Sequence, residues 1–174
     1  IVVTASDVLP ELANAAQASR FCEHVLVVGD DAGEFTSYED ALAEEHPPEL
    51  AIVEPTGPDD LAGWLFTSGS TGEPKACVHT QADFAYSTET YALQVAGYRE
   101  DDICLSVPKL FLGYATGTNL MFPFRVGATA VLFSGRSTAD QLFDLIEKHH
   151  PTFLTGVPTM FNNMLRSPRI EEVD

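Results

Sequence analysis

The stretch Leu65 to Thr80, LFTSGSTGEPKACVHT, runs from apolar residues into small hydroxyls and glycines and returns through a proline and a lysine. Successive backbone N–H groups in a glycine-rich turn form an anion-binding nest, and hydroxyls at Thr67, Ser68, Ser70 and Thr71 add donors without bulk. Gly69 and Gly72 give the backbone its freedom, and Lys75 supplies a formal positive charge. These residue types suit a polyphosphate. A flexible linker would have no need of the Pro74–Lys75 pair.

The Walker pattern, G-x-x-x-x-G-K-[ST], is out of register here, because counting on from Gly69 puts Pro74 where the second glycine belongs. A Walker loop also runs into a helix whose N-terminus faces the phosphates. The residues after Lys75, Ala-Cys-Val-His-Thr, instead have the pattern of a strand. The loop therefore joins strand to strand.

The run Phe66-Thr67-Ser68-Gly69-Ser70-Thr71-Gly72-Glu73-Pro74-Lys75 before a short strand resembles the phosphate-binding signature of the adenylate-forming superfamily. That superfamily includes acyl- and aryl-CoA ligases, peptide-synthetase adenylation domains and luciferases. The resemblance implies that Thr67, Ser68, Gly69, Ser70, Thr71, Gly72 and Lys75 orient the β- and γ-phosphates of ATP, with Lys75 as the catalytic cation on the departing pyrophosphate. Two positions depart from the pattern: Ala76 stands where a glycine usually follows the lysine, and Gln81 where a histidine is common. Neither change removes a phosphate donor, but the methyl of Ala76 is expected to narrow the backbone angles there.

A second stretch, Pro108 to Phe133, PKLFLGYATGTNLMFPFRVGATAVLF, resembles the KLFFAYGLGN…FP…VGATAVL element of benzoate-CoA ligases and near relatives. In that family the turn lines the acyl pocket. The likeness implies that Gly113 and Tyr114 border an aromatic acid and that Lys109 begins the element. Gly113 replaces an alanine, which is expected to leave a roomier wall, while Ala115, Thr116 and Thr118 replace Gly, Leu and Asn. The stretch 155–161, TGVPTMF, resembles the family's next pocket strand, with Pro158 ending it and Thr159 capping a helix.

The elements that must position these residues alternate between strand-like and helical patterns, the mark of an α/β domain with a largely parallel sheet flanked by helices. Strands are expected at 1–4, 24–29, 61–67, 75–80, 102–108, 128–133 and 152–158. Helices are expected at 7–21, with Pro10 in the first turn, at 37–45, opened by Ser37 and Asp40 in a capping-box arrangement, and at 82–96, 114–122 and 138–149. In the 82–96 helix, Phe84, Thr88, Tyr91 and Val95 recur at helical spacing and predict a core-facing stripe. In the 138–149 helix, Ala139, Leu142, Phe143 and Ile146 do the same, with Ser137 and Asp140 suited to its start. Pro47, Pro48, Pro55 and Pro58 punctuate a linker, which divides the chain into an opening β-α-β unit at 1–58 and a phosphate-loop and acyl-pocket part at 59–174.

The chain has 174 residues, 45% of them hydrophobic, enough for a real core. The formal net charge is −17, and Lys75, Lys109 and Lys148 are the only lysines, so nucleic acid and anionic membranes are poor partners. So acidic a chain repels a polyphosphate at long range; binding must come from local donors, Lys75 and a divalent cation. Cys22, Cys77 and Cys104 contain no C-x-x-C pair and read as small core hydrophobes. Adjacent His149 and His150 point in different directions from a helix end, and no metal site is expected. With no signal pattern and no apolar run of membrane length, a soluble cytoplasmic protein is expected.

The resemblance further implies a two-step reaction using ATP, Mg2+ and coenzyme A on a small aromatic carboxylic acid. The family's later adenine, ribose, magnesium and hinge motifs, and its C-terminal catalytic lysine, have no counterpart in this sequence. The expectation is a truncated part of the large N-terminal domain, inactive alone and partnered by the remainder of its parent enzyme. Two other readings stay open: another adenylate-forming enzyme acting on amino or fatty acids, and a non-catalytic α/β binding module. The amino-acid reading usually requires an early pocket aspartate, and none stands within 109–123.

Overall fold

The computed structural model describes residues 1–45, 53–69 and 72–173. Pro47 and Pro48 of the expected linker, and Ser70 and Thr71 of the loop, lie outside the described residues. The chain falls into two compact units, Ile1–Glu54 and Pro55–Asp174.

In the first unit, β1 (Val2–Ala5), β2 (Val25–Val28) and the short β3 (Thr36–Ser37) form a parallel sheet in that order, with Val2 opposite Val25 and Leu26 opposite Thr36. Helix α1 (Leu9–Ala18) buries Ala16 against Val25 and Val27. It is shorter than the expected 7–21 because Ser19 turns to extended backbone, ψ 121°. Helix α2 (Tyr38–Ala43) opens on Ser37, whose hydroxyl accepts the Asp40 N–H at 3.2 Å, and stops where Glu44 becomes extended.

The second unit begins at Pro55. An antiparallel pair, β4 (Leu61–Thr67) and β5 (Lys75–Thr80), leads into α3 (Gln81–Ser87). This helix continues as a wider π-type helix, Thr88–Ala96, ended by Gly97 in the left-handed region, φ 75°. The change of winding alters which side chains face inward. Thr88 and Ala92 are buried, whereas Tyr91 and Val95 of the expected stripe are exposed, because a 3.6-residue period does not survive i→i+5 hydrogen bonding.

A parallel sheet, ordered β7-β6-β8, forms the centre of this unit: β6 (Ile103–Ser106), β7 (Thr129–Val131) and β8 (Phe153–Thr155). Between β6 and β7 lie α4 (Gly113–Thr116), a π-type turn (Gly117–Met121) and α5 (Phe122–Val126). Helix α6 (Ala139–His149) crosses from β7 to β8, and α7 (Pro158–Arg166) follows. Neighbouring residues of β6 point to opposite faces. Cys104 packs with Ala92, Tyr98 and Phe122 on one side, and Leu105 with Val131, Leu142, Phe143, Leu145 and Met164 on the other.

The largely parallel sheet of the sequence reading is thus two three-stranded parallel sheets and an antiparallel pair. Three local expectations are corrected. Helix α6 is capped by Thr138, which accepts the Gln141 N–H at 3.2 Å, while Ser137 donates to the Val107 carbonyl at 2.8 Å. Thr159 lies inside α7, whose N-cap is Val157 and whose first residue is Pro158, a position where the missing N–H costs nothing. Of the three cysteines only Cys104 is buried, and Cys77 is exposed on β5. Among the described residues no helix is long and apolar enough to cross a membrane.

Candidate active site

The loop 68–74 is held shut at its base by the pairing of Thr67 with Lys75. Gly69 and Gly72 have φ of 61° and 85°, a region that favours glycine. A side chain at Gly69 would begin 2.6 Å from the Glu73 carbonyl oxygen, so Gly69 lies against the Glu73 backbone. Thr67, Ser68, Gly72 and Lys75 are exposed, and Lys75 makes no ion pair among the described residues. An exposed ammonium beside hydroxyls and a backbone turn can receive an anion. Ala76 pairs with Phe66 in the strand and has no positive φ, so its methyl introduces no backbone strain.

By alternation, Leu65, Thr67, Lys75, Cys77 and His79 share one face of the β4–β5 pair. A cavity of about 480 Å³ adjoins it. Leu65, Phe84, Met121 and Phe122 supply apolar wall, Gly113 and Gly117 bring backbone to the surface, and His79, Asp83, Ser87 and Thr116 are polar. Gly113 is therefore part of this wall. The volume that glycine omits is occupied by the neighbouring strand, since a side chain there would begin 2.6 Å from Leu65 Cδ1. Tyr114 is 57% exposed and does not line this cavity.

His79 and Asp83 went unremarked as site residues at the sequence level, although their i,i+4 spacing and the Thr80-x-x-Asp83 helix start were available signals. Asp83 Oδ2 accepts the Thr80 N–H at 2.9 Å and stands 3.4 Å from His79 Nδ1. The backbone hydrogen bond from Thr80, with His79 assisting, holds the Asp83 carboxyl below the usual carboxylate range.

Lys109 anchors the segment carrying Gly113 and Tyr114. Its ammonium donates to the carbonyls of Phe133 (2.9 Å) and Gly135 (2.7 Å) and lies 3.4 Å from the Phe133 ring centre. Partial burial lowers its pKa. The segment 108–114 leaves the carboxyl end of β6, and the segment 156–158 leaves that of its neighbour β8. The chain runs from β6 to β7 on one side and then crosses to β8 on the other. That reversal makes the crevice beyond β6 and β8 a topological switch point, the usual ligand position of parallel sheets.

A family model described as "AMP-binding enzyme" matches residues 1–174. The benzoate–CoA ligase of Thauera aromatica is 39% identical over 170 residues, covering 97% of this chain and 31% of that protein. The 4-hydroxybenzoate–CoA/benzoate–CoA ligase of Rhodopseudomonas palustris is 36% identical over 169 residues, with coverage of 97% and 31%. Among solved structures, a benzoate CoA ligase from Burkholderia xenovorans matches with a TM-score of 0.82 at 34% identity, over 97% of this chain and 32% of that one. An anthranilate CoA ligase in complex with anthranoyl-AMP matches with a TM-score of 0.90 at 28% identity, over 99% and 33%. The chain spans about a third of the length of these relatives. With this match along its whole length, the chain belongs to the AMP-binding enzyme family of adenylate-forming proteins.

Proposed function

We propose that this chain is the phosphate-loop and acyl-pocket part of an ATP-dependent aryl-CoA ligase of the benzoate type. One observation carries the reading: β4 contributes Leu65 to the cavity wall and, two residues on along the same face, Thr67 to the base of the loop, a separation of about 7 Å. An acid whose ring enters the cavity would present its carboxylate toward phosphates held by the loop. The names of the relatives, benzoate–CoA and hydroxybenzoate–CoA ligases, support an aromatic acid.

In this reading a carboxylate oxygen attacks the α-phosphorus of ATP, the bond to pyrophosphate breaks, and an acyl-adenylate forms. The thiol of coenzyme A then attacks the acyl carbon and AMP leaves. The chain's own residues position and neutralise. Thr67, Ser68 and the backbone at Gly69 and Gly72, with Ser70 and Thr71, would hold the β- and γ-phosphates, and Lys75 would offset charge on the departing pyrophosphate. Gly113 would border the acid, whereas Tyr114, expected from the sequence to do so as well, lies outside this cavity. Magnesium that accompanies ATP finds no cage here: among the described residues no three His, Cys, Asp or Glu side chains gather.

The test is kcat/KM of the full-length enzyme for benzoate and hydroxybenzoates against hexanoate and palmitate, with carboxylate-dependent pyrophosphate–ATP exchange as the half-reaction readout. Preference for benzoates is expected. Preference for palmitate overturns the aryl reading.

A further inference from the structure

The polar groups of the cavity beside the phosphate loop are not interchangeable, because most of their hydrogen-bonding capacity is already used. Ser87 Oγ donates to the Phe84 carbonyl at 3.1 Å. Thr116 Oγ1 donates to the carbonyls of Leu110 and Leu112, at 2.6 and 3.2 Å. Both hydroxyl protons are therefore turned back onto local backbone, that of Ser87 within α3 and that of Thr116 onto the segment just before α4. Asp83 Oδ2 is engaged by the Thr80 N–H and faces His79 Nδ1, which fixes the imidazole edge that points at it. Among the described residues, Asp83 Oδ1 and His79 Nε2 have no hydrogen-bond partner. The 3.4 Å approach of Nδ1 to the carboxylate orients the ring and leaves Nε2, at its far edge, open to a ligand. The ring is also steadied by Phe84, 5.8 Å between centroids.

What this cavity has left to offer is an open oxygen on an ionised carboxylate and a ring nitrogen able to accept from a proton-bearing group. A ligand group with protons to give completes them, and a negatively charged group meets Asp83. We infer that the His79–Asp83 pair reads the ring substituent of the aromatic acid, favouring hydrogen-bond donors such as hydroxyl or amino groups and disfavouring an anionic substituent. The inference rests on the aryl-CoA ligase reading and deepens it: substrate choice is set on α3 and the end of β5 as well as in the 108–116 segment. Side-chain exposures of 34% for His79 and 49% for Asp83 keep the effect modest, since water competes for the same atoms.

The experiment measures kcat and KM of the full-length enzyme for benzoate, 3- and 4-hydroxybenzoate, 3-aminobenzoate and benzene-1,3-dicarboxylate. It compares the unaltered protein with His79→Phe and Asp83→Asn. The asparagine retains a side-chain oxygen for the Thr80 N–H, so α3 keeps its start. Expected in His79→Phe is a fall of about 3- to 10-fold in the preferred hydroxybenzoate-to-benzoate ratio, carried by KM, the size of one ordinary hydrogen bond. Expected in Asp83→Asn is a rise of similar size in use of the dicarboxylate relative to benzoate. Benzoates activated with both ratios unchanged in the two variants would overturn the inference while leaving the aryl-CoA reading intact. Absence of pyrophosphate exchange with every aromatic acid would overturn both.

Discussion

Leu65 of β4 occupies the place that a side chain on Gly113 of α4 would take, with its Cδ1 2.6 Å from the ideal Cβ position. The strand that leads into the 68–74 loop and the short helix that opens at Gly113 are therefore in direct contact.

Gly113→Ala forces the Leu65 side chain to shift, and both residues line the same cavity. A shift of this kind alters discrimination by about 10-fold, the scale of one methylene in an apolar pocket. The expected result is a lower kcat/KM for ring-substituted benzoates than for benzoate itself in the full-length enzyme. Leu65→Ala in the same molecule should restore the ratio, and strictly additive single and double variants would show that the contact does not shape the pocket.

Lys75 ends the loop as an exposed cation paired across the strands with Thr67. On the proposed role of Lys75, Lys75→Ala in the full-length enzyme removes a charge-assisted contact to phosphate, about 1.5–3 kcal/mol, or roughly 10- to 100-fold in the parameter affected. The loss should fall on ATP in the exchange half-reaction and spare equilibrium binding of the aromatic acid. Isothermal titration with the acid, beside steady-state kinetics with ATP, separates the two.

The three thiols differ in environment. Burial, with Asp102 nearby adding to it, pushes the Cys104 thiol up to about 11, while Cys77 is exposed on β5 beyond Lys75. At pH 8, N-ethylmaleimide should label Cys77 of the folded 174-residue chain first and Cys104 only after denaturant is added. Peptide mass mapping over a time course gives the order, and early labelling of Cys104 would contradict its place in the core.

Lys109 ties the turn after β6 to the carbonyls that follow β7. Lys109→Met keeps the length of the stem and removes the ammonium. Faster amide hydrogen exchange confined to the 109–113 and 133–136 segments is expected, with the exchange pattern of α6 unchanged.

The strand–loop–strand arrangement around 68–74 was legible before any coordinates because its pattern is local. Hydroxyls, glycines and a Pro-Lys pair stand in one contiguous run, and the strands that flank it, 61–67 and 75–80, lie where alternation and turn residues put them. The Ser37 cap of α2 and the apolar face of α6 were legible for the same reason. Period-based reasoning failed where the helix changed winding, leaving Tyr91 and Val95 outside the core.

Sequence alone determined the α/β class and the family, since each depends on residue types a few positions apart. Only the tertiary structure decided that Leu65 fills the gap at Gly113, that Tyr114 lies apart from the cavity beside the loop, and that His79 and Asp83 join its wall. These facts depend on how a hairpin, α3 and the helix after β6 pack together, and no spacing along the chain encodes which side chains meet across three elements. The free acceptors of that cavity follow only once every neighbouring donor has been traced to its partner.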